Sequence, residues 1–250
     1  MSAFIRGFRA ACLFLTRIPV AGGPYSDEEW RWSSGWFPAV GALLGISMAL
    51  VFEALLPLGP LFASVMAVSA TMLLTGGFHE DGLADTADAM GGSFDRERLF
   101  VILKDSRLGA FGGMALFAVL LGKIALLCRV EAVFAVFIVA QSLSRMFPIW
   151  LMVRLPYVTS DEASKSRRVT RAGVPQGILA TIVPFAISLV CYLNGSIALV
   201  PLVAAWLTGC VLMLVCAWRF VVRTGGITGD FLGATQQITE IGILAAFVWP

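Results

Sequence analysis

Between Thr75 and Asp88 the chain reads Thr-Gly-Gly-Phe-His-Glu-Asp-Gly-Leu-Ala-Asp-Thr-Ala-Asp, which gathers the only histidine and four of the 16 acidic residues into one short stretch. Asp81, Asp85 and Asp88 stand at i, i+4 and i+7, so in a helix they share one stripe. Three carboxylates on a stripe are oxygen donors for a hard divalent cation such as Mg²⁺, and without a cation they repel one another. Glu80 points roughly opposite Asp81 on a helical wheel, where it serves a second ion or caps a backbone group. His79 is suited to metal ligation, to donation to a phosphate, or to proton transfer near neutral pH.

Mg²⁺ gives up its waters reluctantly and is usually shared with a phosphate. Basic donors follow in Lys104-Asp105-Ser106-Arg107, where Lys104 and Arg107 at i and i+3 can reach one anion, the arginine through its bidentate fork. A third cluster, Thr224-Gly225-Gly226-Ile227-Thr228-Gly229-Asp230, continues through Gly233-Ala234-Thr235-Gln236 to Glu240. Its glycines form a turn able to present N–H groups to an anion, with Thr228, Asp230 and Glu240 as further substrate contacts. Arg145, amid Gln141, Ser142 and Ser144 in an apolar run, reads as an inward polar contact or a substrate anchor. Carboxylate-held metal beside basic groups is the equipment of phosphoryl transfer, with His79, Asp81, Lys104 and Arg107 as the catalytic set.

The elements that hold these clusters are set by an oily chain. It has 250 residues, 58% hydrophobic and 14% charged, against about 25% charged in a soluble domain. Apolar runs near Val40–Leu56, Leu61–Leu74, Ala110–Leu127, Val133–Val153, Ile178–Leu193 and Ile197–Ala217 approach the ~20 residues that cross a bilayer. A seventh, Phe231–Trp249, is weaker because Gln236, Gln237 and Glu240 interrupt it. Of the 18 Lys and Arg, all but Lys123, Arg129 and Arg145 fall on alternate connections, so the positive-inside rule puts the three clusters on the cytoplasmic face. The net charge of +2 therefore reflects topology and does not point to nucleic acid.

The fold class expected is all-α: a single polytopic membrane bundle over residues 1–250, with six to seven transmembrane helices. An amphipathic interfacial helix is expected before Pro19, from Phe4, Ile5, Phe8, Leu13, Phe14 and Leu15 mixed with Arg6, Arg9 and Arg17. Short cytoplasmic helices are expected at Asp81–Met90 and Arg96–Lys104, and a flexible solvated loop over the serine- and arginine-rich residues 159–168. The five cysteines are scattered and read as core residues, and no removable leader is evident at the amino end.

The motifs Gly76-Gly77-Phe78-His79-Glu80-Asp81-Gly82-Leu83-Ala84-Asp85-Thr86-Ala87-Asp88, Lys104-Asp105-Ser106-Arg107-Leu108-Gly109 and Gly225-Gly226-Ile227-Thr228-Gly229-Asp230 stand in one order along the chain. Together with Phe14-Leu15-Thr16-Arg17-Ile18-Pro19 and Phe37-Pro38-Ala39-Val40-Gly41 they make the chain resemble the cobalamin synthase family over essentially its whole length. Ala89 departs from the glycine often expected after the third aspartate.

The resemblance implies a multi-pass enzyme of the bacterial inner membrane that uses Mg²⁺, with its active site on the cytoplasmic face. Its substrates would be adenosylcobinamide-GDP and α-ribazole or α-ribazole 5′-phosphate. The products would be GMP and adenosylcobalamin or its 5′-phosphate, and association with itself or with other cobalamin-assembly enzymes is an expected option. On that reading Asp81, Asp85 and Asp88 hold the ion, Lys104 and Arg107 stabilise phosphate charge, and His79 or a carboxylate handles the hydroxyl. A CDP-alcohol phosphotransferase is the nearest alternative, but Asp85 follows Ala84 where that pattern has arginine. A prenyltransferase leaves the second and third motifs without a role. A transporter calls for ionisable groups near mid-membrane, for which only Glu53, Lys123 and Arg145 qualify.

Overall fold

The computed structural model describes residues 2–158 and 172–249 and is built from helices. In chain order these are α1 (Ala3–Leu15), α2 (Asp27–Gly35), α3 (Phe37–Leu55), α4 (Pro60–Thr75), α5 (Phe78–Gly92), α6 (Arg96–Leu103), α7 (Ala110–Leu127), α8 (Val133–Arg154), α9 (Val174–Leu193), α10 (Leu199–Thr224) and α11 (Gly229–Val248). A 3₁₀ turn, Leu56–Leu58, joins α3 to α4. Among the described residues no strand forms, and the one bridge, Tyr157 to Ile227, fastens the end of α8 to the turn before α11. The loop expected over residues 159–168 lies outside the described residues.

Six helices, α3 with its 3₁₀ extension, α7, α8, α9, α10 and α11, are long and apolar enough to cross a bilayer. The chain is a polytopic all-α membrane protein. The weaker seventh run proves to be a continuous 20-residue helix, α11, because Gln236, Gln237 and Glu240 are buried against protein and away from lipid. Leu61–Leu74, expected as a span, is α4, which packs back along α3 and, taken with α5 as a broken pair, raises the number of candidate crossings to seven. α4 has 16 residues, about 24 Å at 1.5 Å per residue, and α5 departs from it at 91°. Gly76 (φ 72°) and Gly77 (φ 70°) make that corner in the left-handed region where a side chain would be strained. α5 is thus not a straight continuation of α4. It runs across the end of the bundle that also carries α6 and the amino ends of α7 and α11, and it is longer than the Asp81–Met90 segment expected.

α8 is the central helix, buried along almost its whole length and packed on α3, α9, α10 and α11. α1 is the amphipathic helix expected: Gly7, Ala10, Ala11 and Leu15 are buried while Phe4, Ile5 and Leu13 remain exposed. The amphipathic pattern did not reveal α2. Its start is a capping box in which Ser26 Oγ accepts from Glu29 N (3.3 Å) and Glu29 Oε2 accepts from Ser26 N (2.7 Å). Glu29 also pairs with Arg6 at 2.9 Å, and Trp36 Nε1 donates to the Phe4 carbonyl (2.8 Å), which ties α1 to α2 and to the start of α3. That attachment sets the end of α1, with Phe14 and Arg17, beside α5.

Candidate active site

A cleft of about 750 Å³ opens between the end of α1, the α4–α5 corner and α7. Arg17, Glu80, Asp81, Asp85 and Ser106 line its polar end, and Leu13, Phe14, Met72, Leu116 and Leu120 line its apolar end. The acidic residues are held there by a close crossing of α5 and α11. A Cβ added at Gly82 would lie 2.8 Å from the Asp230 carbonyl oxygen and 3.3 Å from the Gly233 Cα, so only glycine permits this approach. The crossing brings Asp230, from the first turn of α11, into the electrostatic company of Asp81 and Asp85. Burial pushes the Asp85 carboxyl up to about 7, with Asp81, Asp230 and Asp88 adding to the rise. Negative charge is therefore in excess at this point, a condition that a cation relieves.

Asp88 does something else. Its Oδ2 accepts from Gly109 N and its Oδ1 from Gly112 N, both at 2.8 Å, so both oxygens are engaged in capping the amino end of α7. It does not line the cleft. Glu80 is buried; its Oε1 accepts from Gln237 Nε2 (3.0 Å) and its Oε2 has no hydrogen-bond partner. Among the described residues no three His, Cys, Asp or Glu side chains converge closely enough to chelate an ion unaided.

Beneath the cleft lies a buried polar network. Lys123 Nζ donates to Gln237 Oε1 (2.7 Å) and pairs with Glu240 Oε2 (2.9 Å). Glu240 also accepts from Gln141 Nε2 (2.8 Å) and Gln236 Nε2 (2.7 Å), and Arg145 Nη1 donates to Gln141 Oε1 (2.5 Å). Two cations, Lys123 and Arg145, thus balance two carboxylates, Glu240 within the network and Glu80 at its edge with the cleft. Glu240 and Arg145, expected at the substrate, sit in this network. Arg145 and His79 instead face a separate cavity of about 40 Å³, walled from the cleft by Phe14 and Phe78, whose rings meet edge to face at 5.4 Å.

The remaining expected contacts are dispersed. Lys104 is exposed at the end of α6. Arg107 is exposed and grips Asp105, with Nη2 to Oδ2 at 2.6 Å, and this hydrogen-bonded guanidinium holds Asp105 down at about 2. Of that motif Ser106 and Leu108 line the cleft. Thr228 is buried as the cap of α11, its Oγ1 accepting from Phe231 N (3.3 Å). The neighbouring glycine turn spends the Ile227 N–H on the Pro156 carbonyl (2.9 Å). The basic residue the cleft does contain is Arg17, which the sequence marked only as part of a positively charged, family-like amino end.

Comparison with known proteins agrees with this assembly of motifs. The family model described as cobalamin-5-phosphate synthase matches residues 7–248. An adenosylcobinamide-GDP ribazoletransferase of Polaromonas sp. (strain JS666 / ATCC BAA-500) is 43% identical, covering 96% of this chain and 95% of its own. Proteins of the same name from Shewanella amazonensis (39% identical, 96% of this chain and 95% of theirs) and Vibrio cholerae (37%, 94% and 90%) are similar over almost the same span. No solved structure matches. With the family model and these relatives spanning all three motifs and the helices that join them, the chain belongs to the cobalamin-5-phosphate synthase family.

Proposed function

We propose that the protein is an adenosylcobinamide-GDP ribazoletransferase of the bacterial inner membrane, working at its cytoplasmic face with Mg²⁺. The observation that carries the reading is the cleft itself, where Asp81 and Asp85 stand beside Asp230 with Arg17 and Ser106 on the same wall. These residues fit a Mg²⁺ ion, because Mg²⁺ is commonly held by one or two carboxylates and completes its shell with water and substrate phosphate. That no three-residue chelate forms among the described residues is in keeping with that mode. Asp81 and Asp85 would hold the ion, with Asp230 adding negative potential; when bound, Mg²⁺ would neutralise charge on the diphosphate.

The chain's own residues do the positioning. Arg17 sits where it can balance phosphate charge, and Ser106 offers a hydroxyl to the same end of the cleft. Glu80 lines the same cleft and would take the proton of the attacking hydroxyl of α-ribazole, or of its 5′-phosphate. That hydroxyl oxygen forms a bond to the cobinamide-linked phosphorus, the bond from this phosphorus to the GMP oxygen breaks, and GMP leaves. Such transfers depend mainly on placement and electrostatics, so a set of fixed carboxylates with one arginine is enough equipment.

The test is to incubate purified, detergent-solubilised protein with adenosylcobinamide-GDP, α-ribazole and Mg²⁺ and to follow GMP and the cobalamin product by mass. Product formation dependent on both substrates supports the reading and needs no second compartment, whereas a transporter would give none.

A further inference from the structure

The cleft is amphipathic along its depth, and that bears on which substrate it encloses. Its polar lining, Asp81, Asp85 and Arg17, comes from α5 and the end of α1. Its apolar lining includes Leu116 and Leu120, about 9 and 15 Å along α7 from the start of that helix at 1.5 Å per residue. Leu13, Phe14, Met72, Leu116 and Leu120 carry no polar side-chain atom except the Met72 sulfur. The two hydroxyls nearby spend their donors inside their own helices, Thr16 on the Cys12 carbonyl (2.7 Å) and Thr75 on the Thr71 carbonyl (3.0 Å).

We propose that this cleft seats the acceptor nucleoside, with its ribose toward the carboxylates and its base against Met72, Leu116 and Leu120. The inference rests on the ribazoletransferase reading. Volume is compatible with it: about 750 Å³ lies within the roughly 300–1,000 Å³ of sites that enclose drug-sized ligands, ample for one nucleoside. Chemistry selects between the two nucleosides of the reaction. Guanine would bring an edge of donors and acceptors into a wall that answers none of them, at a cost of about 1–3 kcal/mol for each group left unpaired. The dimethylbenzimidazole of α-ribazole carries a single ring-nitrogen acceptor and no donor, and its methyl groups match the leucines and methionine.

The experiment uses the full chain in nanodiscs, with α-ribazole titrated alone by calorimetry and both Michaelis constants measured from GMP release. Leu120→Trp fills the deep end, and Leu116→Phe is a milder filling if the larger side chain is not recovered folded. The expected result is a rise of at least about tenfold in Kd and KM for α-ribazole, with KM for adenosylcobinamide-GDP within about twofold of wild type. A rise confined to adenosylcobinamide-GDP, or no change in either constant, overturns the inference and leaves the proposed reaction standing. If the wild type binds α-ribazole and the variants do not, yet no GMP appears, the seat survives and the reaction assigned to it falls.

Discussion

Gly82→Ala probes the crossing that assembles the site. The added methyl would lie 2.8 Å from the Asp230 carbonyl oxygen, 3.2 Å from the Asp230 Cα and 3.3 Å from the Gly233 Cα. All three obstacles are backbone, so no side chain can swing aside. Ordinary contact begins at 3.4 Å, and the first turn of α11 must therefore retreat by about 0.6 Å. That turn carries Asp230, so the retreat parts its carboxylate from Asp81 and Asp85. Overpacking of this kind costs about 1–3 kcal/mol. Displacements near 1 Å at a reacting centre cost about 10²-fold, and about 0.6 Å here corresponds to a kcat some tenfold to a hundredfold lower. GMP release at saturating substrates reads the rate, and the thermal midpoint in the same nanodiscs reads the strain. Gly113→Ala is the control, because a Cβ there meets nothing within 4 Å. A Gly82→Ala kcat within about twofold of wild type would refute the claim that this crossing sets the active geometry.

Asp81→Asn and Asp85→Asn should each lower GMP release by at least about 10²-fold while the protein still inserts in membranes; near-normal turnover in both removes the proposed ion site. Because Asp85 is pushed up to about 7, its carboxyl is largely protonated below that pH and must lose a proton to ligate. Mg²⁺ affinity should therefore weaken as pH falls from about 8 to about 6, with proton release on binding near pH 7, and a flat calorimetric profile across that window would contradict the assignment. Lys123→Ala leaves Glu240 buried without its cation and should destabilise the protein by about 3–5 kcal/mol; Lys123→Met with Glu240→Gln should recover most of the loss in thermal midpoint, and equal losses would refute the pairing. Asp88→Ala removes the cap of α7 and should cost about 0.5–2 kcal/mol, a penalty that Asp88→Asn reduces if capping is the role, as read from the same thermal unfolding curves.

Hydropathy and residue patterning were enough to read the helical membrane architecture and the amphipathic first helix, because each depends on local composition. The corner between α4 and α5 was visible as Gly76-Gly77 but not as a bend, since two glycines permit several backbone paths. The three-aspartate stripe was a correct helix periodicity, and one member still has a different task. Asp88 meets the α7 amino end more than twenty residues away, a long-range partner that spacing cannot show. Asp230 arrives beside Asp81 only because Gly82 and Gly233 let two helices touch, and Lys123, Arg145 and Glu240 find one another across three spans. Their cost within the membrane was legible, but their partners were not. Arg17 was hidden for the opposite reason: a basic residue near an amino-terminal interfacial helix already had a sufficient topological explanation.

The central claim is that Asp81 and Asp85 bind a divalent cation during phosphoryl transfer, and metal rescue tests it most directly. In Asp81→Cys and Asp85→Cys a softer thiolate replaces a hard oxygen donor, which disfavours Mg²⁺ and favours a softer ion such as Cd²⁺. The measurement is GMP release from adenosylcobinamide-GDP and α-ribazole by each variant and by wild type, in Mg²⁺ and in Cd²⁺. The account predicts that both variants lose activity in Mg²⁺ and regain a substantial part of it in Cd²⁺, relative to wild type under the same ion. Full activity of both cysteine variants in Mg²⁺ would contradict it.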